Sequence, residues 1–248
     1  GLSDEESTIT IPVKSDYDYT VDMPAWITGE KVKEGYNFTL TENTTGNARK
    51  GTVIFKSQKG TKEITFVQFG VNDIAGTYEA TYSTFGEGDD WVSETVKIEL
   101  LQGEENEAVF YADGLSSIRG VVLPLKFDGE TYQLSALNGQ YLGFIESQKW
   151  YLYTIVRSEA GYVHADTSLS YPAIAELDVD DEELMPFFPF KDKKGFSFTG
   201  ETGTIKSFID AIGVYVFASK SPTFGNNNNL GYYDIFKDLS IKKIKADH

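Results

Sequence analysis

The chain has 248 residues, of which 40% are hydrophobic and 14% aromatic, so it is long and apolar enough to bury a large core. Its formal net charge is −16, from 38 acidic and 22 basic residues, and a surface of that charge repels polyanions, so we expect neither nucleic acid nor an anionic membrane surface as a partner. Because it has no cysteine, it can form neither a disulfide framework nor a thiolate site.

The first seventy residues contain five short stretches in which apolar and polar residues alternate. Val, Ile, Thr, Tyr and Phe dominate them, and this composition with a period of two predicts β-strands. Five short strands with tight turns between them are typical of a small β-sandwich. The stretches read STITIPV, YDYTVDM, YNFTLTE, GTVIFKS and KEITFVQFG.

A domain boundary is predicted at Gly70 to Asp73, within FGVNDIAGTY. Beyond it the predicted strands become longer and aromatic residues become denser. We therefore predict an all-β chain with two domains, residues 1–71 and residues 72–248.

The turn between the third and fourth predicted strands has an unusual composition, TENTTGNARK before GTVIF. Its Asn and Gly residues tolerate a positive φ, so the segment can reverse the chain. The side chains of Asn43 and Arg49 are suited to hydrogen bonds with the turn backbone. We interpret both as residues that stabilise the turn, in preference to ligand-binding residues.

A wider pattern around this turn resembles the BACON domain over residues 7–70. The pattern consists of Trp26 in PAWI, Asn43 and Arg49 in the turn, the following GTVIF strand, and Gln68 at the end of the closing strand. The resemblance implies a small immunoglobulin-like β-sandwich, of a kind found in surface and secreted proteins of gut bacteria and often beside glycan-degrading modules. It also implies carbohydrate or mucin binding, although many copies of the domain act as spacers.

Tyr17 and Tyr19 are the predicted ligand-binding residues of the first domain. BACON domains often carry a second Trp in this part of the chain, and these two tyrosines stand there instead. An aromatic ring can stack on the apolar face of a sugar, so the tyrosines would take over that contact.

The second domain offers about eight to ten further strand candidates, enough for a small antiparallel barrel. In GTYEATYS, alternation places Glu79 and Thr81 on one face and Tyr78 and Ala80 on the other. The GEEN turn further along predicts an antiparallel pair. This opening, with its Trp-centred second strand and the GL after the third, resembles lipocalin-like β-barrel domains of surface lipoproteins over residues 74–115. Tyr78 stands where lipocalins have a Trp.

A second group of candidate ligand-binding residues lies in KWYLYTIV, where alternation separates Trp150 from Tyr151 and Tyr153. Tyrosines with Asn and Asp nearby can form a sugar platform, because the rings stack while the polar groups bind hydroxyls. The alternative is that all three rings pack in a β core.

Other polar segments are interpreted as structural. The acidic stretch DVDDEE, residues 178–183, lacks the spacing of a calcium-binding EF-hand loop and is interpreted as a solvated loop. His164, close to Asp166 and Ser168, lacks the turn of a nucleophile triad, so a structural histidine is predicted. The loop FGNNNNLGYY is interpreted as an exposed connection.

The sequence thus predicts a small immunoglobulin-like sandwich followed by a larger lipocalin-like antiparallel barrel. We expect a non-enzymatic, monomeric protein without cofactor, metal or catalytic residues, which binds a glycan or mucin. By the same resemblances we expect an exported outer-membrane or cell-surface lipoprotein, whose lipidated cysteine preceded Leu2. The alternatives are a carrier that holds a small hydrophobic ligand in the barrel, with the first domain as a spacer, and a structural assembly subunit.

Overall fold

The protein is all-β, as the sequence predicts. The computed structural model describes residues 3–88, 90–179, 183–225 and 227–245. Within these ranges no helix is long and apolar enough to span a membrane. The chain forms two compact units: unit 1 comprises Gly1–Ile74 with Leu177–Met185, and unit 2 comprises Ala75–Glu176 with Pro186–His248.

Unit 1 consists of two three-stranded antiparallel sheets. One has the order β1-β4-β3 and the other β2-β5-β6. A single 3-10 turn at Val71–Asp73 follows them. The six strands are β1 (Ser7–Ile11), β2 (Tyr19–Asp22), β3 (Ile27–Val32), β4 (Gly35–Leu40), β5 (Arg49–Ser57) and β6 (Gly60–Gln68).

The core of unit 1 lies between these two sheets. Phe38 of one sheet packs against Phe55 and Phe66 of the other, with ring centroids 6.0 Å and 5.4 Å apart. Ile27, Leu40 and Val53 complete this buried cluster, and Trp26 packs against it.

One segment of unit 1 comes from far along the chain. The Nζ of Lys50 on β5 donates a hydrogen bond to the carbonyl oxygen of Val179 at 2.6 Å, and Leu184 is buried. Leu177–Met185 thus belongs to unit 1, although it lies within residues 72–248, the predicted second domain. The division between the units otherwise falls after Ile74.

Unit 2 contains the other fourteen strands among the described residues. They are β7 (Gly76–Phe85), β8 (Trp91–Gln102), β9 (Val109–Asp113), β10 (Leu123–Asp128), β11 (Gln133–Leu137), β12 (Tyr141–Ile145), β13 (Trp150–Ser158), β14 (Val163–His164), β15 (Ser170–Ile174), β16 (Phe187–Pro189), β17 (Phe196–Gly200), β18 (Gly203–Ser207), β19 (Ile209–Phe217) and β20 (Asn229–Lys243).

Twelve of these strands form one antiparallel sheet, which curls into a half-barrel. Its order is β12-β13-β19-β20-β7-β8-β9-β10-β11-β15, with β14 beside β13 and β16 beside β20. The series of paired strands is thus open, running from β12 to β15. The remaining two strands, β17 and β18, form a separate hairpin.

The predicted strand patterns at the start of unit 2 are confirmed. On β7, Tyr78 and Ala80 are fully buried, whereas Glu79 and Thr81 between and after them are exposed. The strands on either side of the GEEN turn, β8 and β9, pair antiparallel. Strand β19 is different, because all nine of its residues are buried, as expected for a strand covered on both faces.

Candidate functional site

The Asn43 turn of unit 1 is held by its own side chains, as the sequence predicts. Asn43 is fully buried; its Nδ2 donates to the carbonyl oxygen of Asn47 at 2.9 Å. Its Oδ1 accepts a hydrogen bond from the Thr45 hydroxyl at 2.7 Å. Every polar atom of this amide is therefore used within the turn, and none is directed at a ligand.

Arg49 is tied into the same region. Its Nε donates to Oε1 of Gln68 at 2.8 Å, and its Nη2 donates to the carbonyl oxygen of Thr41 at 2.7 Å. The guanidinium also lies 4.3 Å from the ring centroid of Trp26. Three of the residues that carry the BACON resemblance, Trp26, Arg49 and Gln68, thus form one structural cluster.

A cavity of about 440 Å³ opens at one end of the unit 1 sandwich. It lies between the segment after β1, the start of β2 and the β5–β6 hairpin. Both predicted ligand-binding residues of the first domain, Tyr17 and Tyr19, line it, and we call it the tyrosine cleft. Its volume is in the range of sites for small ligands.

The two tyrosines of the tyrosine cleft differ in exposure. The ring of Tyr17 is 44% exposed, so it is accessible to a ligand. Tyr19 is half-buried and packs against Phe55, with ring centroids 5.7 Å apart. Tyr17 is therefore the ring best placed to stack, while Tyr19 forms part of the wall together with the aliphatic residues Ile11, Val13 and Ile64.

The rim of the tyrosine cleft is basic, although the whole chain is strongly acidic. Lys56 pairs with Asp22 at 2.5 Å, and both side chains are exposed. Lys59 places its Nζ 5.6 Å from the Tyr17 ring centroid. Such groups donate hydrogen bonds to hydroxyls or carboxylates. Among the described residues of the lining, the basic ones are Lys14, Lys56, Lys59 and Lys62, and the acidic one is Asp16.

The predicted ligand-binding residues of the second domain, Trp150, Tyr151 and Tyr153, differ in how deeply they are buried. Tyr153 is only 6% exposed, and it packs against Phe217 with ring centroids 5.7 Å apart. Its hydroxyl has a pKa raised by burial. Tyr153 is thus packed in the core, which is the alternative that the sequence pattern left open for it.

Tyr151 and Trp150 are half-buried at the edge of the sheet in unit 2. Tyr151 packs against Phe144 with ring centroids 4.6 Å apart, and Trp150 lies 6.4 Å from Tyr233. Alternation along β13 separates the two rings, as predicted.

Two exposed rings beside Tyr151 are not among the predicted site residues. Tyr141 is 46% exposed and Phe144 39% exposed. Both lie on β12 opposite Tyr153 and Tyr151, because a β-bulge between Tyr141 and Gly143 puts them on the same face. Alternation along YLGFI would place them on opposite faces, so the sequence pattern alone does not reveal this aromatic edge.

A buried ion pair in unit 2 is also absent from the sequence-based candidates. Nη1 of Arg157 on β13 lies 2.6 Å from Oδ2 of Asp210 on β19, and Asp210 is 7% exposed. Burial raises the pKa of the Asp210 carboxyl. The guanidinium also lies 5.3 Å from the Trp91 ring centroid. The two residues are 53 positions apart, so no local motif could indicate the pair.

The structure places His164 in an apolar setting. Its ring lies 4.9 Å from Phe196 and 4.6 Å from Phe198, measured between centroids. Among the described residues its Nε2 has no hydrogen-bond partner. Burial lowers its pKa, so the ring is neutral near neutral pH. The contacts with the two phenylalanines agree with the structural role predicted for this histidine.

The described ranges contain no group of three or more His, Cys, Asp or Glu side chains arranged to hold a metal. Residues 180–182 of the acidic stretch, Asn226 of the polar loop, and His248 lie outside those ranges. In the described part of the polar loop, Asn228 Nδ2 donates to the carbonyl oxygens of Ser221 and Thr223 at 2.7 Å and 2.9 Å. This amide therefore stabilises its own loop.

No protein-family model matches the chain, and neither a curated protein nor a solved structure matches it significantly.

Proposed function

We propose that this chain is a non-enzymatic carbohydrate-binding protein and that the tyrosine cleft is its saccharide site. The observation that carries the proposal is the exposed Tyr17 ring in a cavity of about 440 Å³ whose rim is rich in lysine. A sugar presents an apolar face and a set of hydroxyls, and this cleft offers a partner for each.

The resemblance of residues 7–70 to the BACON domain supports the same proposal, because that family is linked with glycans at the bacterial surface. An exported, lipid-anchored protein with a lipocalin-like second domain is part of the proposal on the same grounds. Within unit 1, the residues that carry the resemblance stabilise the fold, whereas Tyr17 and Tyr19 lie at the cleft. The binding residues would therefore differ from the signature residues.

The test begins with a glycan array probed with the intact chain, including neutral, uronate-bearing and sulfated glycans and mucin oligosaccharides. The best ligand is then titrated by calorimetry against the wild type and Tyr17→Ala. We expect Tyr17→Ala to weaken binding by about tenfold, or about 1.4 kcal/mol, because the stacking face is lost. Since the ring is 44% exposed, the substitution should leave the fold intact.

Tyr111→Ala is the matched control, because Tyr111 is an exposed tyrosine of unit 2, on β9. It should leave the affinity unchanged. If Tyr151→Ala abolished binding and Tyr17→Ala did not, the site would lie at the aromatic edge of unit 2 and the tyrosine cleft would be excluded. If the intact chain bound no glycan, the proposed function itself would be contradicted.

A further inference from the structure

Unit 2 contains a second cavity, of about 690 Å³, which neither the predicted site residues nor the proposed function uses. It lies between the β11–β15 edge of the large sheet and the loop that connects β16 to β17. Gln133, Ser170 and Pro172 line one side, and Lys191, Lys193 and Lys194 line the other. We call this cavity the lysine cleft.

Asp192 is the one carboxylate among the described residues that line the lysine cleft, and backbone N–H groups use both of its oxygens. Oδ1 of Asp192 accepts hydrogen bonds from the backbone N–H groups of Lys194 and Gly195 at 3.0 Å and 2.9 Å. Its Oδ2 accepts one from the N–H of Ile209 at 3.0 Å. Asp192 therefore fixes the loop, and both of its oxygens are directed at N–H groups.

The three lysines keep their charges available to the cleft. All three side chains are exposed, and within the described residues none of them forms an ion pair. The backbone N–H of Lys191 donates to the carbonyl oxygen of Pro172 at 2.7 Å, which anchors the loop to the sheet. The lining thus includes three exposed lysines on a short, braced loop.

The other groups in the lysine cleft suit an organic anion better than a bare ion. Pro172, Ile174 and Phe196 provide apolar surface, and Ile174 is 45% exposed. The hydroxyls of Ser168 and Ser170 offer hydrogen bonds to a polar ligand. Asp166, which lies two residues before Ser168 of the lining, accepts a hydrogen bond from the N–H of Ser168 at 2.9 Å.

The charge of the whole chain limits the size of the ligand. A net charge of −16 repels a long polyanion, whereas a small anion experiences mainly the field of the nearby lysines, because salt screens charges beyond about 10 Å. We propose that the lysine cleft binds a small organic molecule that carries a carboxylate or sulfate group. This site is independent of the tyrosine cleft.

The experiment is an NMR titration of the intact chain with D-glucuronate, inorganic sulfate and D-glucose. Glucuronate tests for a carboxylate on a small ring, sulfate tests for the anion alone, and glucose has the ring without the charge. We expect saturable shifts of the Lys191, Lys193 and Lys194 amides with glucuronate, weaker binding of sulfate, and no shifts with glucose. Binding should weaken as NaCl is added.

The decisive variant is Lys193→Gln/Lys194→Gln, which should weaken binding of the anion by about tenfold or more. The control is Lys149→Gln/Lys220→Gln, which removes the same charge from two exposed lysines in the β12–β13 and β19–β20 connections. It should leave binding unchanged. The proposal is overturned if glucuronate gives no saturable shifts, if sulfate binds more tightly than glucuronate, if glucose binds as well as glucuronate, or if the two double variants have equal affinities.

Discussion

The ring of His164 packs edge-on against both Phe196 and Phe198, and its pKa is lowered because burial disfavours the charged form. A histidine whose pKa is lower in the folded state than in the unfolded state favours folding above its unfolded pKa of about 6.5. That contribution is lost as the pH falls from about 6.5 through the folded pKa. His164 therefore makes unit 2 sensitive to mild acid.

We predict that the free energy of unfolding of the wild type falls between pH about 7.5 and the folded pKa of His164, and that His164→Phe removes this part of the decrease. A phenyl ring can keep the contacts with both phenylalanines and does not titrate. The measurement is urea unfolding at a series of pH values for both proteins.

The difference between the two proteins isolates His164 from the other titrating groups. Asp210 has the opposite sign, since its raised pKa makes stability increase as the pH falls through its folded pKa. That contribution is common to both proteins and cancels. If the free energies of unfolding of the wild type and His164→Phe changed in parallel with pH, His164 would not be the source of this decrease.

Strand β19 lies between β13 and β20 and is buried along its whole length, and its Gly213 pairs with Ile235 of β20. A Cβ at Gly213 would lie 2.5 Å from the carbonyl oxygen of Asp234 and 3.2 Å from Cδ1 of Ile235. The first of these atoms belongs to the backbone of the neighbouring strand, so it cannot turn away as a flexible side chain could. The sheet must therefore distort to accept any side chain here.

We predict that Gly213→Ala lowers the free energy of unfolding by about 1–3 kcal/mol through overpacking. Gly129→Ala is the matched control, since a Cβ there would meet only Cε1 of Phe127, at 3.9 Å. Chemical denaturation of both variants beside the wild type measures the difference. Equal stability of the two variants would show that β19 and β20 separate at little cost.

At the scale of strands, local pattern predicted much of this fold. The alternation in β7 placed Tyr78 inside and Glu79 outside, because one face of that strand packs on the core and the other meets water. The roles of Asn43 and Arg49 were also predictable, since both act within a few residues of their own turn or strand pair.

Features that depend on distant partners could not be predicted in this way. The return of Leu177–Met185 to unit 1 rests on contacts such as that between Lys50 and Val179, which are 129 positions apart. The bulge in β12 moves Phe144 to the face of Tyr141, which no alternation rule indicates. Tyr153 could not be distinguished from Tyr151 by pattern, because its burial comes from Phe217 on another strand.

At the scale of the whole molecule, the linings of the two clefts are basic although the chain as a whole is acidic. The chain carries 38 acidic and 22 basic residues, yet both clefts described above have more lysines than carboxylates in their linings. The surface elsewhere is correspondingly more acidic than the average. Cations concentrated at concave sites attract small anions, while the surrounding acidic surface keeps the protein soluble and repels large polyanions.

The same excess of negative charge should make the folded protein sensitive to salt. Repulsion among like charges disfavours the compact state, and added salt screens this repulsion. Because acidic residues outnumber basic ones by 38 to 22, repulsive pairs outnumber attractive ones, so screening should remove more repulsion than attraction. We predict that the Tm rises by about 2–4 °C between low and physiological ionic strength in NaCl, measured by calorimetry.

The control is the same scan near the isoelectric point, where the net charge vanishes and the rise should disappear. A Tm that falls as NaCl is added at neutral pH would mean that attractive ion pairs dominate. It would contradict the prediction that repulsion among acidic residues destabilises the folded protein.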